Sequence, residues 1–202
     1  MTVHLHKNDL PTGLSFGPVV AVDGEMMGLN PFRDRLCLMQ LSAGDGDAHL
    51  VQFNGTDYSA PNLKALLTDP GIEKIYHVAR TDIAFAHHWL GVRVNPVFCT
   101  KVASRLCRTF TDKHGMKEII KDLLGIEIAK GLGSSDWGGA ELTQEQMQYA
   151  AEDVLYLHAL REKLLVLLKR EGRLELAQAC FNFLPYRAEL DLGGWSEEML
   201  GH

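Results

Sequence analysis

The segment that most restricts the fold is Pro18-Val19-Val20-Ala21-Val22-Asp23, an apolar and mostly β-branched run that ends on an acid. Such side chains fit the pleated surface of a strand. Arg35 to Ala43 then alternates apolar and polar residues with the period of a half-buried strand. A Gly44-Asp45-Gly46 turn and the run His49 to Phe53 follow, so the chain opens as a meander of antiparallel strands. Asn62 to Leu67 reads as a helix, Ile72 to Val78 as a strand and Asp82 to Leu90 as a helix, after which helical patterning prevails. Met116 to Leu124 stops at Gly125, a C-cap. Ala129 to Leu142 is too rich in Gly and Ser for regular structure and reads as a loop. Thr143, with Gln146 three residues on, forms a capping box that opens the longest helix, running to about Arg170. Glu171-Gly172 punctuates it before a second helix to about Phe183, and Leu184 to His202 shows no sustained helical period. Strands first and helices after give one α/β domain over residues 1–202.

Composition narrows the class. With 202 residues, 46% of them hydrophobic and 23% charged, the chain can bury a core that needs no disulfide. No apolar run reaches the ~18 residues of a membrane span, and the opening Met1-Thr2-Val3-His4-Leu5-His6 lacks the apolar stretch of a signal peptide, which points to the cytoplasm. Cys37, Cys99, Cys107 and Cys180 have no zinc-ribbon or CxxC spacing and read as reduced core residues. A net charge of −6 argues against a broad basic face that grips long duplex nucleic acid, without excluding a short strand. The bases Lys101, Arg105, Arg108, Lys113, Lys117 and Lys121 face only Asp112 and Glu118 in their segment, which is either a phosphate-neutralising patch or a solvated helix face.

Three groups of residues carry chemistry. Asp23 and Glu25 stand two apart where the first strand ends, so both carboxylates project to one side and can share a cation, although the same pair also suits a turn. Asp82 follows the strand Ile72 to Val78 at a helix start, as a cation ligand or as an acid that satisfies the helix dipole. Tyr149 and Asp153 lie one turn apart on one helix face. Their neighbours Ala150, Ala151, Val154 and Leu155 mark that part of the helix as packed, and a carboxylate beside a packed face needs a partner. His4, His6, His49, His87, His88 and His158 show no metal-ligand spacing.

Asp23-x-Glu25, Asp82 and Tyr149-x3-Asp153, in this order, resemble the DEDD 3′-5′ exonucleases of the tyrosine subtype, and within them the ribonuclease D-like branch. Ser135-Asp136-Trp137, Leu142-Thr143, Gln146 and Tyr149-Ala150-Ala151 through Leu157 look like the C-terminal signature of that branch, and Gln148 stands where the histidine subtype has its His. The resemblance runs from about Leu10 to Trp195 and leaves no room for an appended helical RNA-binding domain. Asn30 to Cys37, Phe98 to Ser104, Thr111 to Gly115 and the tail segments Leu190-Asp191-Leu192 and Gly194 to Glu197 look most like the short nano-RNase C family of alphaproteobacteria.

That resemblance implies an RNase H-like (DEDD exonuclease) α/β fold, a mixed sheet with flanking helices and a helical C-terminal half. It implies a 3′-5′ exoribonuclease that cuts dinucleotides and short single-stranded RNA to 5′-mononucleotides with two divalent cations, Mg²⁺ or Mn²⁺. Asp23, Glu25, Asp82 and Asp153 would be the metal ligands, and Tyr149 would orient the attacking water. A DNA 3′-5′ exonuclease, or an inactive RNA-binding module on the same fold, remains the alternative. Leu29 as a wedge, His77, Arg80 and Trp137 are the candidate substrate contacts. The family likeness also implies a homo-oligomer, an octameric ring. The tail, residues 184–202 with Tyr186, Trp195, Met199 and Leu200, is expected either to dock on a neighbouring subunit or to pack on its own core. Two departures stand out: Gly24 takes the place of a side chain between the two acids, and the 131–134 and Gly138-Gly139 stretches replace bulkier residues.

Overall fold

A computed structural model describes residues 2–128 and 135–200. Its centre is a six-stranded mixed sheet made of β1 (Thr2–Lys7), β2 (Val19–Met26), β3 (Leu36–Ser42), β4 (Asp47–Gln52), β5 (Glu73–Tyr76) and β6 (Val97–Cys99), in the order β1-β4-β3-β2-β5-β6. The expected meander is present as the antiparallel pairs β2/β3 and β3/β4. β1 joins β4 in parallel, and β5 and β6 extend β2 in parallel.

Two of these strands escape the sequence pattern. β1 carries its polar residues His4 and His6 on a half-buried face and leaves Leu5 exposed, so its apolar signal is weak. β6 is three residues long, too short to show a period. β3 also differs from expectation: every one of its residues is buried, Gln40 and Ser42 included. The reason is that α5 (Gln144–Leu155) covers it, so the polar positions of the alternation face protein instead of water.

The remaining helices are α1 (Pro61–Thr68), α2 (Ala79–Phe85, continued by a π turn Ala86–Leu90), α3 (Thr100–Cys107), α4 (Met116–Leu124), α6 (Leu157–Arg170) and α7 (Leu174–Leu192). α4 ends at Gly125 with φ 72°, the left-handed cap that glycine tolerates best. The capping box at Thr143 is formed from both sides, Gln146 N–H to Thr143 Oγ1 at 3.1 Å and Thr143 N–H to Gln146 Oε1 at 2.8 Å. The single long helix expected from Thr143 to Arg170 is instead two, divided at Tyr156, where φ −96° and ψ −7° interrupt the ladder. The two halves cover different surfaces: α5 lies on β2, β3 and β4, whereas α6 packs mainly on α3 and α4.

The last helix does not stop near Phe183 but continues through Pro185 to Leu192, with Ala177, Phe181, Pro185 and Ala188 buried along one face at helical spacing. Burial of that face against α2 and β6 offsets the hydrogen bond that the proline removes. Residues 184–192 of the tail therefore pack on the chain's own core. Trp195, Met199 and Leu200 remain exposed.

The four cysteines are unpaired, three buried and Cys180 half-buried. Within the expected loop, 129–134 lie outside the described residues. Residues 135–142 are irregular and tied to the sheet, Arg35 Nη2 donating to Gly138 O at 2.6 Å and Gln52 Nε2 to Gly139 O at 3.0 Å. Among the described residues, no helix is long and apolar enough to cross a membrane.

Candidate active site

β2 is longer than the sequence suggests and includes both acids, pairing with β3 as far as Met26 opposite Leu36. Its pairing with β5 covers only Val19 to Ala21. Past that point β5 has given way to α2, and the notch left beside β2 is filled from the first turn of that helix by Asp82. α5 then lies across β2 and brings Tyr149 and Asp153 over the same spot. Oxygen atoms of Asp23, Glu25 and Asp153 all lie within 4.8 Å of one another.

Asp82 stands beside this group, against Gly24, and its charge acts on Asp23. A Cβ at Gly24 would sit 3.2 Å from Asp82 Oδ1 and 3.0 Å from Met26 Cε. The place left by the missing side chain at Gly24 is thus filled: its bare Cα lets Asp82 and Met26 close in.

Four acids in one partly dry place repel each other. Burial, reinforced by Asp82, Asp153 and Glu25, holds the Asp23 carboxyl well above the usual carboxylate range. Burial with neighbouring acids pushes Glu25 up to about 8. Burial likewise pushes Asp82 up to about 8 and Asp153 to about 7, Lys117 and the Tyr149 hydroxyl pulling Asp153 back. Tyr149 donates to Asp153 and, half-buried among acids, is held above the ordinary phenol range. The donors are all carboxylate oxygens, with no thiolate or imidazole, the ligand set of a hard cation such as Mg²⁺ or Mn²⁺.

The four expected substrate contacts separate. Leu29 is 84% exposed and stands on the rim between the carboxylate pocket, about 540 Å³, and a neighbouring groove of about 600 Å³ lined by Phe32, Val78, Arg80 and Thr81. Its loop is fixed by Asp34, which accepts from the Asn30 N–H at 2.9 Å, while the Trp89 indole donates to Asp34 O at 3.1 Å. Trp137 is a buried wall of the carboxylate pocket with its ring 6.1 Å from that of Tyr149. Arg80 lines the groove but is engaged by Asp191 through two bonds of 2.6 and 2.8 Å and by Glu197. His77 lines neither pocket: it is buried, its Nδ1 lies 2.8 Å from Thr100 Oγ1, and burial lowers its pKa to about 4.

Two residues escaped the sequence reading. Gln40, buried opposite Asp23 on β3, reaches Glu25 Oε1 with its Nε2 at 3.4 Å, and its position within the alternation of that strand gave no sign of this contact. Lys117 was one of six bases in its segment, and it alone acts on Asp153. Of the six bases Arg108 is buried against Asp122 and Ser104, whereas Arg105, Lys113 and Lys121 are exposed, Lys121 in a surface pair with Glu127.

Comparison with known proteins agrees with this geometry. A family model for 3′-5′ exonucleases matches residues 8–169. Ribonuclease D of Granulibacter bethesdensis is 35% identical over 165 residues, 82% of this chain and 41% of that protein. Ribonuclease D of Escherichia coli K12 is 30% identical over 160 residues, 79% of this chain and 42% of that protein. The chain spans about two-fifths of the length of these curated relatives. Among solved structures, Brucella melitensis NrnC bound to pGG superposes with a TM-score of 0.96 at 50% identity, covering 100% of this chain and 98% of that one. The same protein with bound Mg²⁺ gives 0.95, also at 50% identity, covering 100% and 99%. E. coli RNase D gives 0.73 at 26% identity, covering 85% and 45%. With the matched region containing every carboxylate of the cluster, the chain belongs to the 3′-5′ exonuclease family, in its ribonuclease D-like branch.

Proposed function

We propose that the chain is a single-domain 3′-5′ exoribonuclease that removes 5′-mononucleotides from dinucleotides and short single-stranded RNA, with two Mg²⁺ or Mn²⁺ ions held by Asp23, Glu25, Asp82 and Asp153. The observation that carries this is the convergence of Asp23, Glu25 and Asp153 beside a pocket that Asp23, Glu25, Asp82 and Leu29 line. The 50% identical relative seen with pGG supports the short substrate. When bound, the cations activate water and compensate the charge that builds on the phosphate.

The protein's own groups do the rest. Tyr149, with a phenol too weakly acidic to serve as a base, orients the attacking water through a hydroxyl fixed on Asp153. Gln40 holds Glu25 in place, and Trp137 closes the wall behind Tyr149. Leu29 offers the terminal bases an apolar edge. A chain of net charge −6 has little with which to hold a long polyanion, so binding concentrates at the 3′ end. The same reading places the enzyme in the cytoplasm as a homo-oligomer, an octamer by its family likeness, with the exposed Trp195, Met199 and Leu200 at a subunit contact.

Digestion of 5′-labelled RNAs from the dinucleotide upward, with Mg²⁺ or Mn²⁺ and with matched DNA strands in parallel, tests activity, polarity, length preference and sugar choice together. A ladder shortening from the 3′ end, fastest on dinucleotide RNA, is the expected result. Equal rates on DNA would make it a general exonuclease, and no hydrolysis with either ion would leave an inactive binding module.

A further inference from the structure

Three histidines scattered in the sequence meet on one face at the sheet edge. His4 and His6 are two apart on β1 and project to the same side. The parallel pairing sets His49 of β4 directly opposite His4 and Asp47 opposite Thr2. Nε2 of His6 lies 3.0 Å from Nδ1 of His49. The His4 ring stacks on that of His49 with centroids 4.7 Å apart, and its Nε2 is 3.4 Å from Asp47 Oδ2. All four residues are half-buried, and the side chains of His4 and Asp47 are each 40% exposed. Two strands, β4 and β3, separate β1 from the β2 acids, so this cluster is not part of the carboxylate pocket.

A His-x-His pair on one strand with a third imidazole across the ladder is a chelating arrangement for a borderline ion such as Zn²⁺, and neutral ring nitrogens are its preferred ligands. Nitrogens bound at 2.0–2.1 Å to one tetrahedral ion sit about 3.3 Å apart. The His6–His49 pair, its rings 9° from parallel, would open by a few tenths of an ångström and turn both nitrogens toward the ion, the hydrogen-bonded proton moving to the other nitrogen of its own ring. The ligand atoms of the whole set do not yet converge: the His4 ring lies stacked on that of His49, so His4 would have to turn its Nε2 toward the ion, with Asp47 following as the fourth, anionic ligand. We propose that His4, His6, His49 and Asp47 form a second metal site, for one divalent transition ion of the zinc class, which clips the edge strand β1 to β4. Among the described residues β1 pairs only with β4, so an ion held by both strands would favour the folded edge over the unfolded chain, which keeps only the His4-x-His6 pair.

Calorimetric titration of the untagged full chain with Zn²⁺, in excess Mg²⁺ to occupy the carboxylate pocket, tests the proposal. One zinc equivalent is expected. Its affinity should fall by roughly tenfold or more in His6→Gln and in His49→Gln, the scale of loss when groups around a metal are removed, and hold in Asp153→Asn. Zinc should also raise the melting temperature of the unaltered chain and not that of His49→Gln. Absence of binding above the Mg²⁺ background, retention in both histidine variants, or loss in Asp153→Asn instead would overturn it. Should a histidine variant disturb the fold, anomalous diffraction from zinc-soaked crystals of the unaltered chain decides: a peak between β1 and β4 supports the site, and one confined to the β2 acids refutes it.

Discussion

At the scale of single residues the site is a repulsive cluster. Asp23→Asn or Asp153→Asn should abolish turnover and, with cations withheld, raise the melting temperature by about 2 °C or more, since roughly 2–4 °C corresponds to 1 kcal/mol for a domain of this size. A melt without metal and single-turnover hydrolysis check both halves, and wild-type rates in either variant would remove the carboxylates from the mechanism. Tyr149→Phe should keep cation affinity while slowing the chemical step about 10- to 100-fold, the cost of a misplaced reactant. The pH response has a definite sign. Folded Glu25 and Asp82 titrate near 8 and Asp153 near 7, above their unfolded values, so the folded metal-free chain holds more protons than the unfolded one. Stability without metal should then be greatest below about pH 5 and fall as pH rises toward 8, and saturating Mn²⁺ should flatten that slope. A flat metal-free melt series would contradict it. Asp23 with Glu25, two apart in a strand, and Tyr149 with Asp153, four apart in a helix, were legible as pairs because such spacings place side chains by themselves, whereas Asp82 joined them only through the family resemblance. His77 and Arg80 were not legible as they stand, because Thr100, Asp191 and Glu197 reach them from far along the chain.

At the scale of elements, the loop that carries Leu29 depends on a close approach. A Cβ on Gly28 would lie 2.3 Å from Asp34 Oδ2, whose carboxylate fixes the Asn30 amide. Gly28→Ala should cost on the order of 1–3 kcal/mol by overpacking and raise KM for short RNA more than it lowers kcat, because the wedge moves and the acids do not. Steady-state kinetics with a thermal melt would show it, and an unchanged KM would detach Leu29 from binding. Helices and strands with a strong period were readable from the sequence, as were both caps. β1 and β6 were not, one too polar and the other too short, and α7 was cut early because a proline outweighed the spacing of Ala177, Phe181 and Ala188.

At the scale of the whole molecule, α7 is joined to α2 by Arg80 and Asp191, and Arg187 holds Asp191 from the other side. Asp191→Asn should lower the melting temperature by several degrees, since it leaves the buried Arg187 and the half-buried Arg80 guanidinium short of a partner, whereas Glu197→Gln, on an exposed turn, should scarcely move it. Deleting residues 194–202 should lower the solution mass seen by light scattering and weaken the preference for dinucleotides. A truncated chain with the same mass and preference would put the subunit contact elsewhere.

The interruption at Tyr156 divides more than a helix. Residues before it hang over the reacting groups, and residues after it belong to a buttress formed with α3 and α4. Drift in the buttress would be registered by heat and drift in the overhang by the stopwatch, so a laboratory lineage selected for warmth should gather its changes after Tyr156 and one selected for speed before it.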